Sequence, residues 1–297
     1  MLSFKPPICI PFARLALATW LLSLLALTGC GGGSTGPAIL EETTTTTTTP
    51  SPTTPAPAIP LITPGAYVAS LYGKDWVAML LPTTQGSGTV TNFYGMHYNA
   101  ADPDLFSGSG TITGTSSANL SRVFVYPNIT ASARTGTGSL TYVGNGAVRA
   151  SLSFPSTGLE QGKDINVVAS PPNNYKYNTA PTLDSVQGTW QGRWSYGFGS
   201  VDNFNLSISA QGNVSSSESF QQDCVLTQGI LAPNFDGTNL FTFSVTIPTA
   251  TQCSLKSQTL NGAAFVTTSP VAGKSQRLYI IGVTTDGRGI SYKADRR

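Results

Sequence analysis

Charge is what this chain has least of. From Gly65 to the C-terminus there are 14 Lys and Arg and 12 Asp and Glu in 233 residues, about half the ~25% of an ordinary soluble domain. With so few charges, and near balance between them, no basic surface exists to grip nucleic acid, so a nucleic-acid partner is excluded. The chain has one histidine, His97, and four cysteines. A Ser-His-Asp site would have to use His97, yet no Gly-x-Ser-x-Gly elbow occurs. A metal site needs more ligands than one histidine and scattered cysteines supply, so neither a metal nor another cofactor is expected. Long apolar runs are missing too. The only extended one, Leu15 to Leu27, is interrupted by Thr19 and Ser23, and thirteen residues fall short of the ~20 that span a bilayer.

In place of charge, the polarity comes from Gly, Ser, Thr, Asn and Gln, the residues of short strands and tight turns. Hydrophobic periodicity beyond Pro64 is two rather than 3.6. Phe204, Leu206 and Ile208 alternate with polar neighbours, as do Phe241, Phe243, Val245 and Ile247, the pattern of half-buried strands. Gln211-Gly212-Asn213, Asn145-Gly146 and Asp286-Gly287 punctuate such runs as turns. The expectation is an all-β protein of antiparallel strands.

The N-terminus has the layout of a processing signal. Lys5 and Arg14 precede the short apolar run, which closes on Leu27-Thr28-Gly29-Cys30. This ending resembles the bacterial lipobox. The resemblance implies removal of residues 1–29, diacylation of the Cys30 thiol, and a membrane as partner through two or three acyl chains, enough for stable anchoring. With Gly31 following the cysteine, it implies the outer membrane and leaves the leaflet open. If Cys9 departs with the signal and Cys30 carries lipid, Cys224 and Cys253 are the remaining thiols. In an oxidising compartment these are expected to form one disulfide.

Residues 30–64 form a spacer: a Gly run, seven consecutive threonines (Thr43 to Thr49) and a Pro/Ala/Thr stretch. Nothing in it can bury a core, so a disordered tether is expected. In polyproline II geometry its 34 residues after Cys30 could reach ~100 Å.

Two similar halves are expected after it, 65–178 and 182–297, joined at the Pro/Asn-rich segment that begins at Ser170. Three landmarks recur in the same order: Gly65-Ala66-Tyr67 with Gly188-Thr189-Trp190, Asn145-Gly146-Ala147 with Asn261-Gly262-Ala263, and Tyr175-Lys176 with Tyr292-Lys293. Each half has room for about eight strands. Gly188-x-Trp190 ahead of the first strand resembles the opening of lipocalins and other calycins. The resemblance implies a barrel whose tryptophan plugs one end under an arginine, for which Arg277 and Arg288 are the candidates. Tandem calycin-like barrels are therefore expected, with paired β-sandwiches as the alternative.

One segment suggests a ligand site. Trp190, Trp194, Tyr196 and Phe198 share a parity, so in a strand their rings point to one face. Should that face be a barrel interior, it either lines a pocket or fills the barrel. Gly192 leaves a gap in the row, a sign of a bulge, a close backbone approach or a small cavity. Taken together, the sequence points to a non-catalytic binder of an unidentified envelope or extracellular ligand, with an envelope-assembly accessory as the alternative and a periplasmic hydrolase third.

Overall fold

A computed structural model of the chain describes residues 61–85, 88–98, 104–112, 115–126, 132–156, 162–196, 199–221, 224–234, 237–249 and 253–297. Cys30, the processing signal, most of the spacer and Phe198 lie outside these residues. The described fold is all-β, and its single helical turn is a 3-10 turn over Leu183–Ser185.

The first sheet is an eight-stranded antiparallel meander: β1 (Gly65–Leu71), β2 (Lys74–Gln85), β3 (Gly88–His97), β4 (Asp104–Gly110), β5 (Ser117–Tyr126), β6 (Arg134–Gly144), β7 (Ala147–Phe154) and β8 (Lys163–Ala169). It curls until β1 meets the end of β8 at one bridge, where Val68 and Ser170 exchange backbone hydrogen bonds of 2.8 and 2.9 Å. The barrel is thus nearly closed. Its interior is filled by Tyr67, Trp76, Phe93, Phe106 and Phe154.

The second half contains β9 (Gly188–Tyr196), β10 (Gly199–Ile208), β11 (Asn213–Ser215), β12 (Ser219–Gln221), β13 (Cys224–Val225), β14 (Gly229–Pro233), β15 (Phe241–Thr246), β16 (Thr259–Thr268), β17 (Gln276–Val283) and β18 (Gly289–Arg296). Eight of these form a closed barrel, with β18 paired to β9 from Ile290↔Tyr196 to Arg296↔Trp190. Closure sets the sandwich alternative aside. Gly192 makes it sterically feasible, because a Cβ there would lie 2.1 Å from the Lys293 carbonyl oxygen and 2.4 Å from the Ala294 Cα. On its other side Gly192 faces Phe204 beside a bulge in β10, where Asn203 has φ +58°. The gap in the aromatic row therefore holds backbone, not a cavity.

β12 and β13 form a separate two-stranded piece inserted between β11 and β14. The Cys224–Cys253 disulfide, with a Cα–Cα distance of 5.5 Å, ties this insertion to the loop after β15. Phe220 and Leu226 of the insertion, and Leu255 of that loop, belong to the barrel's core. The bridge closes a loop of 29 residues, which in a chain-entropy account stabilises by about 3–4 kcal/mol. Replacing both cysteines with serine is expected to lower Tm by roughly 10 °C, read by calorimetry. An unchanged Tm would show that the insertion holds its place without the bridge.

One landmark pair corresponds, at the entry to each half. Tyr67 donates its hydroxyl proton to the Thr63 carbonyl, and Trp190 Nε1–H donates to the Val186 carbonyl at 2.7 Å, each four residues upstream. The other two landmark pairs do not correspond. Asn145-Gly146 is the tight β6–β7 turn, with φ of +50° and +76°, whereas Asn261-Gly262-Ala263 lies inside β16. Tyr175-Lys176 follows β8, whereas Tyr292-Lys293 lies inside β18. Glycine and tyrosine abound here, and such pairs recur without structural equivalence.

The barrels pack side by side. Ala66, Val77, Met79, Leu81, Tyr94 and Met96 on the outer face of the first meet Leu240, Ala263, Phe265, Tyr279 and Ile281 of the second in one apolar cluster. Strand segments buried on both faces lose their alternation, which is why Trp76–Leu81 and Leu278–Ile281 are continuously apolar and buried. The segment after β8 is wedged in place. Tyr175 Oη accepts from Ala66 N–H at 3.0 Å and donates to the Asn239 carbonyl at 2.8 Å, and Tyr177 Oη donates to the Ala66 carbonyl at 3.2 Å. Residues 56–297 form one compact unit.

Candidate functional site

The aromatic row of β9 is resolved as far as Tyr196. Trp190 and Trp194 have no exposed surface and Tyr196 is half-buried. Trp194 sits among Phe204, Phe220 and Tyr292, with ring centroids 5.3, 5.4 and 5.6 Å away, and Tyr196 packs on Phe220 at 5.4 Å. Phe220 comes from the disulfide-tied insertion, so this end of the barrel is covered from above. Tyr292 Oη lies 2.9 Å from the carbonyl oxygens of both Trp190 and Phe204, locking β18 to β9 and β10 from inside. Inward alternation brings the rings together, and together they make a core. The indole N–H of Trp194, like that of Trp76 in the first barrel, meets no acceptor among the described residues.

Trp190 plugs the opposite end, and the group over its ring is the guanidinium of Arg296, with Cζ 5.4 Å from the centroid. Arg296 is the cross-strand partner of Trp190 and also donates to the Gln187 carbonyl. Arg277 and Arg288, the candidates read from sequence, are engaged elsewhere. Arg277 grips Asp295 through two bonds of 2.9 and 3.0 Å, and Arg288 pairs with Asp286 at 2.9 Å. Only strand pairing reveals which arginine lies opposite Trp190.

Among the described residues, the larger clefts lie outside the barrel interiors. A void inside the first barrel, among Tyr67, Trp76, Phe93 and other apolar side chains, measures about 10 Å³. That is barely one water's worth, and its walls are apolar. Larger clefts lined by described residues open to solvent.

The first cleft, about 480 Å³, runs between the barrels and is lined by Asp75, Trp76, Pro171, Asn173, Ser269, Arg277 and Tyr279 among others. Its cations are already partnered. Lys293 pairs with Asp75 while its Nζ lies 4.8 Å from the Tyr98 ring centroid, and Arg277 is 7% exposed against Asp295. Burial by itself would raise the Asp295 carboxyl pKa, but the bonds from Arg277 and from Ser269, whose Oγ donates at 2.6 Å, outweigh it and hold the group below the usual carboxylate range. The Lys293–Asp75 pair joins the two barrels, and Arg277–Asp295 ties β17 to β18 within the second.

The second, about 310 Å³, is the mouth of the first barrel, where Leu71, His97 and Ile165 make the floor and Tyr72, Asp104 and Lys163 the rim. His97 is buried, with Nε2 3.1 Å from the Leu71 carbonyl oxygen. Lys163 is ion-paired to Asp104 across the mouth. The third, about 560 Å³, lies along the outer face of β5 to β8 and shares Tyr72, Asp164 and Ile165 with the mouth. Cross-strand register arranges its polar side chains in two rows, Asn119–Ser139–Ser151–Asn166 and Thr137–Ser153–Asp164. Sequence reading passed over this face, because the same Ser/Thr/Asn alternation occurs on most strands. The distinguishing sign is Tyr72, a large ring in a two-residue turn where Asn or Gly is usual.

Among the described residues no three His, Cys, Asp or Glu side chains converge as a metal site. No protein family matches the chain, and neither a curated protein nor a solved structure matches it. The two β-barrels are consistent with the tandem calycin-like architecture expected from the sequence.

Proposed function

We propose that this chain is an outer-membrane lipoprotein, anchored through Cys30, whose rigid two-barrel head binds an envelope or extracellular ligand without chemical conversion. The observation that carries the proposal is the distribution of space: barrel interiors packed with aromatic side chains, and clefts of 310 to 560 Å³ on the outside. A lipocalin-like mode needs a cavity inside the barrel, so recognition is assigned to the exterior. Welding two barrels through one apolar cluster suits this role, because a rigid surface loses little conformational entropy when it binds. The lipid and a long tether supply attachment and reach.

Two measurements test it. Cys30→Ser is expected to move the protein from the membrane fraction to the soluble fraction, and persistence in the membrane fraction counts against the anchor. The soluble full-length variant is then expected to bind envelopes from cells lacking the protein in a saturable manner. Linear, non-saturable uptake counts against a binding role.

A further inference from the structure

We infer that the cleft along the outer face of β5 to β8, beside Tyr72, is a site for a neutral oligosaccharide. The inference rests on the binding role proposed above and names the ligand class. A polar outer face by itself is ordinary for a sheet, and three observations separate this one from a merely solvated surface.

The cleft offers about 560 Å³ open to solvent, room for several sugar rings. Its polar lining is hydroxyl and amide, with a single carboxylate, Asp164, and no Lys or Arg, and Leu152 and Ile165 lie among these groups. Hydroxyls and amides both donate and accept, as the alternating hydroxyls of a polyol require. A phosphate or other anion would find no counter-charge in this lining, and a lipid chain would leave its hydroxyl and amide groups unpaired. Asp164 already accepts a 2.6 Å bond from Ser153 Oγ, which fixes one of its oxygens and leaves the other for a ligand hydroxyl.

The third observation is Tyr72. Its ring is 83% exposed at the cleft's edge, the most exposed of the large hydrophobic side chains among the described residues. Its backbone has φ +53° and that of Gly73 +71°. A bulky side chain in the left-handed region is strained, and such strain is concentrated at ligand sites. The ring also lies edge-on to His97, with centroids 6.4 Å apart, so one side of it is held against the barrel mouth while the rest faces solvent. An exposed aromatic face beside a row of hydroxyl and amide groups offers what a pyranose presents: an apolar C–H face for the ring and equatorial hydroxyls for Asn119, Ser139, Ser151 and Asn166.

The test uses full-length Cys30→Ser protein and titrates cellohexaose, maltohexaose and chitohexaose calorimetrically, with a hexasaccharide of polygalacturonate as the anionic comparison. At least one neutral hexasaccharide is expected to bind, and the anionic one to bind at least tenfold more weakly. Tyr72→Ala is expected to weaken binding about tenfold, and Ser139→Arg, which fills the cleft, to abolish it, both with unchanged Tm. Failure of all three neutral sugars to bind, preference for the anionic one, or equal binding by both variants would overturn the inference. Saturable envelope binding without sugar binding would overturn this inference alone. Loss of both would remove the binding role with it.

Discussion

Raising the pH from 10 to about 12 is expected to unfold the head cooperatively. Burial lifts the phenol pKa of Tyr67, Tyr94 and Tyr279 from 10 to about 12, and it lifts Tyr175 and Tyr292 further. The folded state therefore favours the neutral phenol. Its contribution is complete below pH 10, where phenols of the unfolded chain are also neutral, and is lost as pH rises toward the folded values. Each such group removes about 1 kcal/mol between pH 10 and 11, where the unfolded phenols are only partly ionised, and about 2 kcal/mol by pH 12. Five together remove about 10 kcal/mol by pH 12, against a total stability of about 5–15 kcal/mol. The transition should appear simultaneously in near-ultraviolet circular dichroism and in phenolate absorbance. Smooth phenolate titration around pH 10 with the native dichroism retained would show that these rings are far more accessible than their packing implies. Because Tyr94, Tyr175 and Tyr279 lie at or beside the contact between barrels, both halves should unfold in one transition.

Truncating Trp194 to alanine is expected to cost about 3–5 kcal/mol, the range for removing a fully buried large aromatic. On a unit of this size that lowers Tm by roughly 10 °C, read by differential scanning calorimetry. The three rings around it, Phe204, Phe220 and Tyr292, come from two barrel strands and the disulfide-tied insertion, so they cannot all collapse into the space. Trp194→Phe should cost markedly less than Trp194→Ala, because the indole N–H has no acceptor to lose. A Trp194→Ala protein with wild-type Tm would mean that the ring lines open space rather than fills a core.

Much of the architecture was legible because β-structure is written with a period of two. The runs at 204–208 and 241–247 are strands with the expected faces buried, and Cys224 and Cys253 are bonded. Gly192 stood out as a gap that a bulge, a close backbone approach or a small cavity could explain, and the structure puts backbone there. Contacts distant in sequence were not readable. The arginine over Trp190 is set by the register of β18 on β9, and two of the three apparent repeat landmarks fall at inequivalent positions. The cleft beside Tyr72 was hidden for a related reason. Its polar residues come from β5, β6, β7 and β8, and each strand viewed alone shows only a solvated edge.

By itself the sequence determined the local physics. Alternation made strands, Gly-containing turns separated them, and scarcity of charge left a neutral, hydroxyl-rich exterior. Those are properties of single residues and near neighbours, so they need no partner to be read. Tertiary structure alone decided that one barrel closes while the other stops at a single bridge, that the two lock side by side, and that the β9 aromatics fill space. It also decided that open volume lies on the outside. The reason is that closure and cavity depend on which distant backbones can approach. At Gly192 that approach is about 2 Å from where a side chain would begin, a distance that chain folding sets and residue identity only permits.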